Sequence, residues 1–142
     1  MNETGDAILI VDDSKEDVEL VVGALRKHLP GVTTLVARDG AEAITILTDR
    51  PASQAPHLIL LDLKMPKVDG FEVLRRVKGD AATRSIPVVV LTSSALETDV
   101  QLAYSLGANS YVVKPMRFEE LTETVGRIGE YWLRVDRGLS GS

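Results

Sequence analysis

Residues 58–66 read Leu58-Ile59-Leu60-Leu61-Asp62-Leu63-Lys64-Met65-Pro66. Four consecutive apolar residues run into one acid, without the apolar and polar alternation of a strand that has a wet face. Such a run suits a strand buried on both faces of a parallel sheet. The acid at its carboxyl end stands where open α/β sheets gather their functional groups.

Working outward, four more runs of the same kind occur at Ala7–Val11, Thr33–Ala37, 87–91 and Ser110–Val113. Between them the apolar residues fall at helical spacing: Val18, Val21, Val22, Leu25 and Leu29, then Ala43, Ile44 and Leu47, then Phe71, Leu74 and Val77. Two further helices are expected over 97–106 and 118–135. Strand and helix alternate throughout, which predicts a doubly wound α/β fold with a five-stranded parallel sheet flanked by five helices. Punctuation agrees with periodicity. Ser14 is placed to cap the first helix, Pro30-Gly31 to stop it, Asp39-Gly40 and Asp69-Gly70 to start the next two, and Gly107-Ala108-Asn109 to close the fourth. Loops are expected at 51–56 and 79–85. With 142 residues, the chain is the size of one domain, here taken as 7–135, with flexible ends at 1–6 and 136–142.

Composition bounds the function. A net charge of −5 and the lack of any cluster of Lys or Arg with aromatics argue against nucleic-acid binding. The count of cysteines is 0, which excludes disulfides and thiol chemistry. No signal peptide or membrane-spanning run is visible, so a cytoplasmic location without membrane attachment is expected.

The chemistry-bearing residues sit at strand ends: Asp12 and Asp13 after the first, Asp62 after the third, Thr92 and Ser93 after the fourth, Lys114 after the fifth. If the first and third strands are neighbours, three carboxylates share one pocket. Two like charges about 4 Å apart repel by roughly 4 kcal/mol at an effective dielectric near 20, more than Lys114 alone offsets. A hard divalent cation restores the balance, and oxygen ligands with room for water suit Mg²⁺. A hydroxyl, an ammonium and a metal together are the parts that stabilise a phosphoryl group in transfer. Asp62 is the candidate nucleophile, Asp13 and Asp12 the candidate metal ligands. His28 and His57 belong to no recognisable motif and read as a helix-end and a loop residue.

Val11-Asp12-Asp13-Ser14, Leu61-Asp62-Leu63-Lys64-Met65-Pro66, Asp69-Gly70, Leu91-Thr92-Ser93 and Lys114-Pro115 resemble the receiver domains of two-component response regulators over about 7–130. The resemblance implies a flavodoxin-like fold with strand order 2-1-3-4-5 and phosphotransfer from a sensor histidine kinase to Asp62. It further implies metal binding by Asp13, Asp62 and the carbonyl of Lys64, phosphoryl contacts from Thr92 and Lys114, and a switch formed by Thr92 and the aromatic Tyr111. Lys64 departs from the small or polar residues common at its position, and its side chain, like Ser93, is placed to reach over the pocket. A residue before proline is held out of the helical region, which would help aim Lys114.

Phe118, Leu121, Val125, Ile128, Trp132 and Val135 form a stripe along the last helix. Partial exposure of Tyr131-Trp132-Leu133 is expected there, marking an interface with a second copy. This end, with the 79–85 loop before Ile86-Pro87, resembles the small stand-alone receivers that partner phytochrome-type kinases. The leading expectation is therefore a single-domain signalling receiver with self-phosphorylation and autodephosphorylation activity only. The alternative is a magnesium-dependent phosphohydrolase with an Asp nucleophile, which would want a second acid where Lys64 stands.

Overall fold

Five parallel strands, β1 (Ala7–Val11), β2 (Thr33–Ala37), β3 (Leu58–Leu61), β4 (Val88–Thr92) and β5 (Ser110–Val113), form one sheet in the order β2-β1-β3-β4-β5. The computed structural model describes residues 6–65 and 68–135. The expected flexible ends, Asp6 apart, and Pro66 lie outside the described residues. Helices α1 (Lys15–His28), α2 (Gly40–Asp49), α3 (Gly70–Gly79), α4 (Glu97–Ser105) and α5 (Phe118–Glu130) connect the strands or close the chain.

Strand residues alternate between two cores, and both cores are apolar, which is why no polar alternation shows in the sequence. Leu9, Val11, Ile59, Leu61, Val88 and Val90 face one core, shared with Val73, Leu74 and Val77 of α3 and Ala103 of α4. Ile8, Ile10, Leu58, Leu60, Val89 and Leu91 face the other, built with Val18, Val21 and Leu25 of α1 and Leu121, Val125 and Ile128 of α5.

The helix starts follow their capping chemistry. Ser14 Oγ accepts the Asp17 amide at 3.2 Å, Asp39 Oδ1 the Glu42 amide at 2.8 Å, and Asp69 Oδ1 the Glu72 amide at 3.0 Å, each satisfying one unpaired N–H of a first turn. Gly107, at φ 106°, ends α4 in the left-handed region that favours glycine.

Three expectations need correcting. The fourth strand starts at Val88 and includes Thr92, because Pro87 has no N–H to give a ladder. The last helix is α-helical to Glu130 and continues as one π turn over Tyr131–Val135. Phe118 stands on the solvent side, 57% exposed, so the buried stripe begins at Leu121. As expected, Tyr131 is exposed; Trp132 and Leu133 are half-buried against the second core.

Gly126 fixes the distance between α1 and α5, since a Cβ there would run into the His28 imidazole. An alanine in a helix interior ordinarily gains about 1 kcal/mol over glycine, so the sign of Gly126→Ala reports the clash. We expect Gly126→Ala to lower urea-unfolding stability by about 1–2 kcal/mol, and the double substitution with His28→Ala to recover most of it. A Gly126→Ala chain more stable than the parent would show that the helices do not meet this closely.

Candidate functional site

The ladder hydrogen bonds run one residue past the strand ends, and those residues are the candidates. The Asp12 amide donates to Ala37 O at 3.0 Å, the Asp62 amide to Val11 O at 2.9 Å, and the Lys114 amide to Thr92 O at 2.7 Å. Each functional backbone is thereby pinned to the neighbouring strand while its side chain turns off the sheet edge. Gly70 closes the arrangement from the other side. Its amide donates to Leu63 O at 3.0 Å, and a Cβ at this position would collide with the backbone of Asp62 and Leu63.

Because β1 and β3 are neighbours, Asp12, Asp13 and Asp62 converge, with one oxygen from each within 4.8 Å of the others. Asp12 and Asp62 are buried, at 4% and 8% exposure, while Asp13 is exposed. Asp12 Oδ1 accepts the Ser14 amide at 2.9 Å and Oδ2 accepts Lys114 Nζ at 2.8 Å. Burial nonetheless pushes the Asp12 carboxyl above its ordinary pKa, with Lys114 and the Ser14 amide only partly countering it. Burial alone would lower the Lys114 ammonium; hydrogen bonds to Asp12 and Asp17 outweigh it and push its pKa up. Lys114 is therefore a fixed cation, and no peptide bond among the described residues, Lys114–Pro115 included, is cis.

Sequence reasoning missed Asp17. Its carboxylate accepts Lys114 Nζ at 2.8 Å, whereas Asp62 Oδ2 is 3.4 Å away. An acid in a first helical turn reads as a complement to the helix dipole, and nothing in the sequence points it at a lysine 97 residues on. Arg38, also unforeseen, donates from its guanidinium to Asp13 O at 3.2 Å and braces the exposed acid.

Thr92 is 0% exposed, and its Oγ1 finds no hydrogen-bond partner among the described residues. A buried hydroxyl can donate one hydrogen bond and accept others, and this one faces the site with that capacity unused among the described residues. Tyr111 hydroxyl donates to Ser94 O at 2.8 Å, so this aromatic already packs against the first core and ties down the β4–α4 segment. The Lys64 side chain lines a cavity together with Asp13, but its ammonium forms its ion pair outside the acid trio. Its Nζ pairs with Asp99 Oδ2 of α4 at 3.2 Å and stands 5.9 Å from the centroid of the Phe71 ring. Ser93 is exposed at the rim.

The donor set fits a hard divalent cation: three carboxylates with one open to water, beside an ammonium already committed to two of its neighbours. The order β2-β1-β3-β4-β5 with acids and a lysine on the carboxyl edge defines a receiver-type, flavodoxin-like protein. Residues 8–126 match the response regulator receiver domain, and the chain belongs to that family of phosphoryl-accepting signalling proteins. It is 42% identical to the probable methanogenesis regulatory protein FilR2 of Methanothrix harundinacea, over 92% of this chain and 85% of that protein. It is 40% identical to response regulator Rcp1 of Synechocystis, over 90% of this chain and 89% of that one. Among solved structures, the phosphorylated cyanobacterial phytochrome response regulator RcpA superposes with a TM-score of 0.86 at 37% identity, over 92% of this chain and 96% of RcpA. The Mn²⁺-bound form of Rcp1 gives 0.84 at 38%, with the same coverage. Nothing supports the phosphohydrolase reading, since Lys64 and not an acid follows Asp62 by two residues.

Crowded carboxylates should make the metal-free fold less stable than its neutralised variant. We expect Asp12→Asn to raise the metal-free melting temperature at pH 7, by an amount worth about 1 kcal/mol. Excess Mg²⁺ should raise the melting temperature of the parent chain more than that of the variant. A parent chain whose melting is unmoved by Mg²⁺ would argue against a cation site.

Proposed function

We propose that this chain is a response regulator whose Asp62 accepts a phosphoryl group from a sensor histidine kinase in the presence of Mg²⁺. The observation that carries this reading is the meeting of Asp12, Asp13 and Asp62 within 4.8 Å, beside a lysine that contacts Asp12 and Asp62.

In the proposed step an oxygen of Asp62 attacks phosphorus in line, the phosphorus–nitrogen bond of the donor phosphohistidine breaks, and its electron pair returns to the imidazole. Asp62 suits this role because its two side-chain contacts, Lys64 N and Lys114 Nζ, are both long at 3.4 Å. They orient the carboxylate without tying up its lone pairs. Asp13, Asp62 and the Lys64 carbonyl, with Asp12 through water, would hold Mg²⁺, which supplies charge neutralisation as the phosphoryl group approaches. Lys114 would meet one phosphoryl oxygen as a point-charge donor. Thr92 Oγ1 would donate to another, ending its unpaired state, and Tyr111 would respond to that movement through the Ser94 carbonyl. Hydrolysis of the acyl phosphate later restores the carboxylate and resets the chain. Rcp1 is known in an Mn²⁺-bound form, and Mg²⁺ and Mn²⁺ favour the same oxygen ligands.

The partner in this reading is a histidine kinase of the phytochrome type, in line with the phytochrome association of RcpA. In this reading residues 7–135 would be a single receiver domain in the cytoplasm. No described helix is long and apolar enough to cross a membrane. Self-association would involve the α5 end, where Tyr131 is 49% exposed.

Incubation with acetyl phosphate and Mg²⁺, followed by intact-mass measurement, should add one phosphoryl group to the parent chain. Chelation with EDTA or the substitution Asp62→Asn should abolish the gain. Labelling that persists in Asp62→Asn would move the acceptor elsewhere. Sedimentation gives a separate check on self-association: truncation after Glu130 should weaken dimer formation, and an unchanged dimer would remove the α5 end from the interface.

A further inference from the structure

Two residues past the acceptor, the Lys64 ammonium is held by a carboxylate that already has another task. Asp99 is almost completely buried, at 9% exposure, and its Oδ2 accepts both Lys64 Nζ at 3.2 Å and Ser94 Oγ at 2.6 Å. Ser94 in turn offers its carbonyl to the Tyr111 hydroxyl at 2.8 Å, and its Oγ lies 3.3 Å from the Leu96 amide at the start of α4. One continuous series of polar contacts thus joins the β3–α3 loop to the first turn of α4 and to β5. The pair is poised for exchange. Lys64 is 56% exposed along its side chain, and such a bridge contributes at most about 1 kcal/mol. Its own backbone amide is 3.4 Å from Asp62 Oδ1, so the lysine stem starts beside the carboxylate that would carry the phosphoryl group. That group would bring a charge near −2 and three strong acceptor oxygens, against the single charge that Asp99 shares with Ser94.

We propose that Lys64 and Asp99 form a charge latch that holds α4 to the acceptor loop in the resting chain, and that a phosphoryl group on Asp62 opens it by drawing the Lys64 ammonium to its own oxygens. Lys64 is then a positioning residue for α4 at rest and a phosphoryl contact once Asp62 is modified. Release of Lys64 frees the first turn of α4 from the β3–α3 loop, while Asp99 keeps Ser94. The inference rests on Asp62 as the acceptor.

The two partners give different signatures. Backbone amide NMR of the full chain, with trifluoroberyllate and Mg²⁺ as the phosphoryl mimic, separates them. In the resting state Lys64→Gln and Asp99→Asn should both move the Ser94, Asp99 and Tyr111 amides part of the way toward their mimic-bound positions. Lys64→Gln alone should weaken mimic binding, by about threefold, and Asp99→Asn should leave it equal or tighter. Resting amides that coincide with the parent in both variants would overturn the latch. So would a Lys64→Gln chain that binds the mimic as tightly as the parent. A parent chain that takes up no mimic would instead overturn the acceptor reading, and the exchange with it.

Discussion

The amide of Asp62 bonds to the carbonyl of Val11 at 2.9 Å, one step beyond the last paired residues of β1 and β3, and the site depends on that single extra rung. A parallel ladder keeps strand ends level, so the residues that follow β1 and β3 come out side by side. Asp12 and Lys114 are fixed by rungs of the same kind. Backbone pairing therefore brings together charges that would separate if left to themselves. The two apolar cores on either side of the sheet hold the strands in register against that repulsion.

The resulting pocket is stressed in a directed way. Asp12 is buried and resists ionisation, Thr92 Oγ1 has no described partner, and Lys114 is divided among Asp12, Asp17 and Asp62. A cation would suit the acids, and an acceptor would suit the Thr92 hydroxyl. In the proposed reading, a phosphoryl group arriving with a divalent metal would supply both at once.

Most of the fold was legible because its signals are local or periodic. Apolar runs gave the strands, and Ser14, Asp39 and Asp69 gave helix starts that the structure reproduces hydrogen bond by hydrogen bond. The acid trio was legible because strand ends in such sheets converge. Contacts that depend on side-chain direction across helices left no trace. Asp17 looks like any first-turn acid, and nothing local relates Lys64 to Asp99 or Arg38 to the Asp13 carbonyl. Phe118 failed for a related reason: spacing put it on the stripe, yet the stripe reaches past the point where α5 begins to cover the sheet.

The closeness of α1 and α5 at Gly126 makes the two flanks of the sheet unlike. On that side the helices interlock, with the His28 ring seated where any side chain at position 126 would have to go. On the other side α4 begins without a side-chain cap and carries Leu96, Leu102 and Tyr104 out to solvent. One flank is thus interlocked, while the other presents an apolar face held to β5 through the Tyr104 hydroxyl, which accepts the Tyr111 amide at 3.0 Å.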